Sequence, residues 1–225
     1  MAEQIVKLKK KQWYPILAPN LFNNVVLGET LVAEPNAMLN KTLSHSLMNL
    51  VNDVKRQNVN IHFKVSEVEN GKAKAMAIGY ELINSSVKRM VRRNSEKIDM
   101  SFNCETADNV MLRVKPVVVT RSAVKGTVAA KLRNNIAKFL TAAIKKLSYE
   151  QVLTDLITYK LQNSMREGLN KIYPLKICEI RYLGIEERDA AHQKKAEEAT
   201  AQEAKEEPKE EVKAEEQEEK AEAQA

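Results

Sequence analysis

Hydrophobic and polar residues change their spacing several times along this chain of 225 residues. In "VNIHFKVSEVENGKAKAMAIGYEL", 59–82, Val59, Ile61, Phe63 and Val65 alternate with polar positions, and Ala73, Ala75 and Ala77 alternate on the return. A period of two is that of a half-buried strand, and Asn70-Gly71 between the two runs predicts a hairpin turn. A second hairpin is predicted over 98–120. Ile98, Met100, Phe102 and Cys104 alternate, Asp108-Asn109 marks the turn, and Val110, Leu112 and Val114 alternate on the way back. Pro116 restricts the end of that strand to an edge or a bulge. "VVLGETLV", 25–32, reads as an earlier strand with a glycine inside it. "LNKTLSHSLMNL", 39–50, fits either helical spacing or a strand that ends in a helical turn.

The period then lengthens. In "TVAAKLRNNIAKFLTAAIKKL", 127–147, Leu132, Ile136, Phe139, Leu140 and Ile144 share one helical stripe. Ser148, with Gln151 three positions on, has the form of a capping box, so 149–172 reads as one or two further helices. Alternation returns over 173–185 and predicts a last strand. A short helix is expected over 84–97, capped by Asn84 or Ser85, with Val87 and Met90 or Val91 inward. Strands first, then helices, then a closing strand make an α+β domain of antiparallel strands.

Charge divides the chain in a way the net value of +6 conceals. From Glu186 onward there are 15 acidic and 7 basic residues, a net of −8, which leaves 29 basic and 15 acidic residues and a net of +14 for 1–185. Such a basic body seeks a polyanion. After Tyr182 no aromatic residue occurs, and the remainder is mostly Ala, Glu, Lys and Gln. Segments of that kind bury too little apolar surface to offset their ordering entropy, so 186–225 is expected to be a disordered acidic tail. Residues 1–12 read as a basic arm and 13–185 as the folded domain. No run of about 18 apolar residues predicts a membrane span, and the first residues lack the apolar centre of a secretory signal. Cys104 and Cys178 stand far apart without a CxxC pair and read as ordinary buried thiols.

Signatures of catalysis are missing from the sequence: no GxGxxG, GxxxxGK[ST], GxSxG or HExxH occurs. His45, His62 and His192 are scattered, with His62 on the polar side of its strand, and Asp53, Asp99 and Asp155 have no evident partner. No catalytic residue, metal site, cofactor or small-molecule substrate is expected. The candidate chemistry is cationic. Lys88, Arg89, Arg92 and Arg93 would occupy adjacent stripes of the short helix, where like charges at i, i+4 repel unless phosphates neutralise them; the alternative is a solvated basic face. A second group, Arg121, Lys125, Lys131 and Arg133 with Lys138, Lys145 and Lys146, follows the long helix and its approach. In "KKKQWYPILAPNLF", 9–22, three lysines run into the one tryptophan. Trp13 and Tyr14 are suited either to stack on bases or to anchor an edge strand.

Three stretches carry a resemblance. "KKQWYPILAPNLF" with "LGETLV", "VKRMVRRNSEKID" over 87–99, and "KIYPLKICEIRYLGI" over 171–185 resemble, in order, the opening, basic helix and closing strand of the S-one-e (S-three-a-e) family of small-subunit ribosomal proteins, in its archaeal form. The resemblance implies an antiparallel β-barrel-like core with attached C-terminal helices and a closing strand. It also implies a cytoplasmic, ribosome-associated constituent of the small subunit that binds ribosomal RNA on the platform, beside neighbouring ribosomal proteins and messenger RNA near its exit. The alternative is a free RNA-binding or translation-regulating module. The RNA contacts expected are Lys9, Lys10, Lys11, Trp13, Lys88, Arg89, Arg92, Arg93, Lys97, Arg121, Lys125, Lys131, Arg133, Lys171 and Arg181. In that picture the three lysines enter RNA grooves while Trp13 and Tyr14 anchor the base of the arm, and Pro15 and Pro19 keep the chain extended.

Overall fold

The computed structural model describes residues 10–69 and 71–186. Lys9, most of the arm, Asn70 and the acidic segment with His192 lie outside them. The first hairpin forms as its alternation requires. β4 (Val59–Glu69) buries Ile61, Phe63 and Val65, and β5 (Lys72–Leu82) buries Ala73, Ala75 and Ala77. Gly71 at the turn has φ +75°, a conformation that suits a residue without a Cβ. Phe22, from a 3-10 turn, meets the Phe63 ring edge-on at 5.7 Å.

The ambiguous 39–50 stretch is a strand followed by one helical turn, β3 (Thr42–Ser46) and α1 (Leu47–Val51). The second hairpin departs from expectation in one respect. Its outgoing arm splits into β6 (Lys97–Asp99) and β7 (Phe102–Glu105), both paired to β8 (Met111–Thr120). Pro116 sits at a register shift between β8 and β9 (Leu175–Ile185), the bulge that its missing N–H demands.

With β1 (Gln12–Leu17) and β2 (Val26–Val32) the described strands form one open sheet of nine. Its main path runs β2-β1-β5-β9-β8-β6, with β4 and then β3 on the far edge of β5, and β7 beside β8. Every pairing is antiparallel except the short contact of β1 with β5 at Ile16–Ala73. The core of antiparallel strands, the C-terminal helices and the closing strand are thus all present. The last strand, β9, lies between β5 and β8 and so joins the two hairpins into one sheet. At the crossing Gly79 faces Gly184; a Cβ on Gly79 would lie 3.1 Å from the Leu183 carbonyl oxygen, so the backbones approach only because no side chain intervenes.

Helix α3 (Gly126–Ile144) buries Leu132, Ile136, Leu140 and Ile144 against the sheet side, with Phe139 half-buried. Each such burial contributes roughly 1.5–3 kcal/mol relative to exposure. The predicted capping box is formed: Ser148 accepts from the Gln151 N–H and the Gln151 side chain accepts from the Ser148 N–H. Two helices follow, α4 (Tyr149–Ile157) and α5 (Lys160–Asn170), separated at Tyr159, whose φ is +60°. The Tyr159 ring lies 5.2 Å below the Arg56 guanidinium, and Gln162 bridges the break by donating to the Leu156 carbonyl. Among the described residues no helix is long and apolar enough to cross a membrane.

The three aspartates do have partners. Asp53 binds Arg56 at 3.2 Å, Asp99 binds Lys97, and Asp155 lies 3.9 Å from Lys160. Each partner is two to five residues away, so these are local surface pairs. His62 projects from the polar side of β4 as expected, its Nε2 3.0 Å from Glu81 Oε2. Cys104 and Cys178 are buried free thiols; burial pushes Cys104 up to about 11 and Cys178 up to about 12, which leaves both unreactive near neutrality.

Candidate nucleic-acid interface

The basic helix is shorter than its pattern suggested. α2 (Asn84–Met90) turns Ser86 and Val87 inward, which leaves Lys88 and Arg89 exposed on its last turn. Asn84 does not cap the helix; the N-cap is Ile83, and the Asn84 side chain instead accepts from Arg181 Nη2 at 2.9 Å. The four cations do not share a helix. Val91 is extended and packs against the core, which removes Arg92 and Arg93 from the helical register. The helix thus stops where Val91 packs, and continuation would have stacked like charges at i, i+4. Beyond it the Ser95 hydroxyl closes a turn, donating to the Arg92 carbonyl at 2.6 Å and accepting from the Arg92 N–H, with Asn94 at φ +62°.

Three chain segments meet here through backbone and hydroxyl hydrogen bonds. Thr120, fully buried at the end of β8, accepts from the Glu96 N–H at 3.0 Å and donates its own N–H to the Glu96 carbonyl at 3.0 Å. Its hydroxyl also donates to the Ser122 carbonyl. The Arg121 N–H donates to the Pro174 carbonyl at 3.2 Å, and Asn170 accepts from the Leu175 N–H. The loop carrying Arg92 and Arg93, the residue Arg121 and the start of β9 with Lys176 are therefore neighbours at one end of the sheet, and Lys171 lies just before that strand.

Between α2 and β9 this end opens into a cleft of about 330 Å³. Arg89, Arg92 and Lys176 line it, with Gln57, Asn58 and Ser86 as neutral polar groups and Met90 and Ile177 as apolar ones. No carboxylate belongs to the lining. Arg89 Nη2 donates to Asn58 Oδ1 at 3.4 Å, which directs one guanidinium across the opening. A concave site with three cations and no counter-charge concentrates positive potential.

The other expected contacts fall elsewhere or are partly committed. Lys97 is held by Asp99, whose carboxyl the Lys97 ammonium, and more weakly Arg181, keeps below the usual carboxylate range. Lys125 is the N-cap of α3, and Lys131 and Arg133 are exposed on that helix, away from the cleft lining. Lys10 and Lys11 are exposed and lead into β1, which meets β5 near Ala73, whereas β9 meets β5 at Gly79–Glu81. Arm and cleft thus lie toward opposite ends of β5. Trp13 does not anchor the arm. It remains 64% exposed, opposite Leu31 on the outer side of the β1–β2 pair, while Tyr14 alone packs on the core. Alternation is the cause: with Tyr14 and Ile16 inward, Trp13 faces out. Sequence reasoning missed Lys176 and Asn58. Lys176 was visible as the outward position after Leu175; Asn58 carries no local signal, because its role comes from a hydrogen bond across 31 residues.

Fold and cleft together describe an α+β protein with a strongly basic groove at one end of a large antiparallel sheet. The chain belongs to the Ribosomal S3Ae family, whose model matches residues 3–188. It is 31% identical over 174 residues to the small ribosomal subunit protein eS1 of Sulfurisphaera tokodaii, covering 77% of this chain and 90% of that one. The eS1 protein of Thermoplasma volcanium is 30% identical over 202 residues, covering 87% and 94%. That of Haloarcula marismortui is 29% identical over 203 residues, covering 89% and 94%.

Proposed function

We propose that this protein is a non-enzymatic structural constituent of the small ribosomal subunit and acts in translation by binding ribosomal RNA. The observation that carries the reading is a cleft at one end of the sheet lined by Arg89, Arg92 and Lys176 and by no carboxylate, with Arg93 and Arg121 on the adjoining chain. The names of its relatives support the small-subunit role. Residues 13–185 form the RNA-binding domain, the segment 1–12 is a basic arm, and 186–225 is an acidic tail. Recognition runs through phosphates and the shape of folded RNA, with little reading of base edges. On the platform, near the messenger exit, neighbouring ribosomal proteins complete the site, and the protein is cytoplasmic with the ribosome.

Replacing Lys88, Arg89, Arg92 and Arg93 together with alanine tests the reading. Each phosphate contact contributes about 0.7–0.9 to the slope of log affinity against log salt, so the slope should flatten by about 3. An unchanged slope would overturn the assignment of these four residues. Sedimentation after a high-salt wash tests the role: co-migration with the small subunit is expected, and migration as a small protein identifies a free RNA-binding module instead.

A further inference from the structure

We infer that the cleft between α2 and the start of β9 receives one nucleotide turned out of a folded RNA, its phosphate on Arg89, Arg92 and Lys176 and its base against Met90 and Ile177. The inference rests on the RNA-binding reading above and goes beyond it, because a continuous duplex is gripped through its phosphates and 2′-hydroxyls and offers no unstacked base to an apolar wall. Three features of the cleft are superfluous for a duplex and are required by an extruded nucleotide.

The first is size, since the shallow, open cleft is on the scale of a single nucleotide. A volume of about 330 Å³ lies within the range of small-ligand sites, about 300–1,000 Å³. The second is the mixture of walls. Met90 and Ile177 are half-buried side chains packed against the hydrophobic core, so they present a fixed apolar surface that a phosphate cannot use and a base can. The third is the ordered polar rim. Asn58 holds the Arg89 guanidinium, whose plane serves either as a phosphate fork or as a stacking partner. The amides of Gln57 and Asn58 add donors and acceptors to the lining. A nucleoside phosphate uses the three cations, the apolar wall and the neutral amides together.

A free nucleotide shares that chemistry, so the test separates the two sources. Full-length protein is titrated, by fluorescence anisotropy, with a labelled RNA hairpin carrying a single unpaired adenosine and with the fully paired hairpin of equal length. The bulged hairpin should bind roughly tenfold more tightly, as burial of one base face against Met90 and Ile177 requires. Two variants leave the number of cations unchanged: Asn58→Ala releases Arg89, and Met90→Gln makes the apolar wall polar. Either should reduce the preference to below about threefold while the paired hairpin binds as before, with the same salt slope. Millimolar adenosine monophosphate should fail to displace the bulged hairpin. Equal affinity for both hairpins in the natural protein would overturn the inference and leave RNA binding standing. So would a preference that survives both substitutions, or displacement by the free nucleotide. Failure to bind either hairpin would instead remove the RNA-binding reading itself.

Discussion

The Tyr149 hydroxyl is the place where the helical part of the molecule is tied into the sheet, and its removal should be measurable. Tyr149 opens α4, is buried, and donates through its hydroxyl to the Ala77 carbonyl of β5 at 2.8 Å. Ala77 sits where the β4–β5 register shifts. Phe63 pairs with Ala77 and His62 with Gly79, so Ile78 has no register partner. The bulge is thus braced by a side chain 72 residues away. Tyr149→Phe keeps the ring and removes only this bond. Losing a buried hydrogen bond and stranding a carbonyl costs about 1–3 kcal/mol, and a value of about 1.5, in the lower half of that range, is appropriate for one neutral pair. For a domain of this size each kcal/mol moves Tm by about 2–4 °C, so the variant should melt about 3–6 °C lower.

The same bond has a pH signature. Burial holds the Tyr149 phenol well above its ordinary value of about 10. A group whose folded value is raised contributes stability that is complete below the unfolded value and is lost as pH rises above it. The gap between natural protein and variant in urea midpoint should therefore be constant up to about pH 9 and narrow above about pH 10. Identical melting of the two proteins at neutral pH, or a gap that widens at alkaline pH, would refute the reasoning.

The strand crossing and a half-buried carboxylate give two further expectations. Gly79→Ala brings a Cβ against the Leu183 carbonyl, which is backbone and has no room to yield, so urea denaturation should show a loss of about 1–3 kcal/mol. Gly184→Ala meets the hydroxyl, Cζ and Cε1 of the half-buried Tyr182 ring, a side chain that can rotate aside where backbone cannot. It should cost less, mainly the contact of the Lys115 ammonium 4.7 Å from the Tyr182 ring, worth about 0.5–1 kcal/mol. An equal cost for the two glycines would contradict the close-approach argument. Burial raises the Glu179 carboxyl above its usual range. Its favourable contribution is therefore present only below about pH 4.5 and is lost as pH rises through the folded value. Glu179→Gln should accordingly raise the urea midpoint at pH 7, with the gain vanishing toward pH 4; a gain that grows on acidification would have the wrong sign.

How much of this was legible in the residues depends on the range of the interaction involved. The hairpin over 59–82, the stripe of Leu132, Ile136, Leu140 and Ile144, and the capping box of Ser148 and Gln151 are all set by neighbours a few positions apart. Period and turn chemistry expose such features directly. The candidate site was legible in composition and only partly in place. Lys88, Arg89, Arg92, Arg93 and Arg121 were identified by charge, but the helix that was to carry four of them ends at Met90. Trp13 was assigned to an anchor that Tyr14 provides.

The sequence by itself determined the α+β order of elements, the basic character of the body and the family resemblance, because each is carried by local periodicity, by summed charge or by short motifs. Only the tertiary structure decided that β9 lies between β5 and β8, that Val91 packs extended against the core where α2 ends, and that Asn58 and Lys176 join the arginines around one cleft. Each of those outcomes is a competition among long-range pairings. It is resolved by backbone approach at Gly79 and Gly184, by packing of a single valine, and by hydrogen bonds from Thr120 and Arg121 that close distant segments together. No local pattern encodes such a balance, since its terms come into existence only when the sheet has formed.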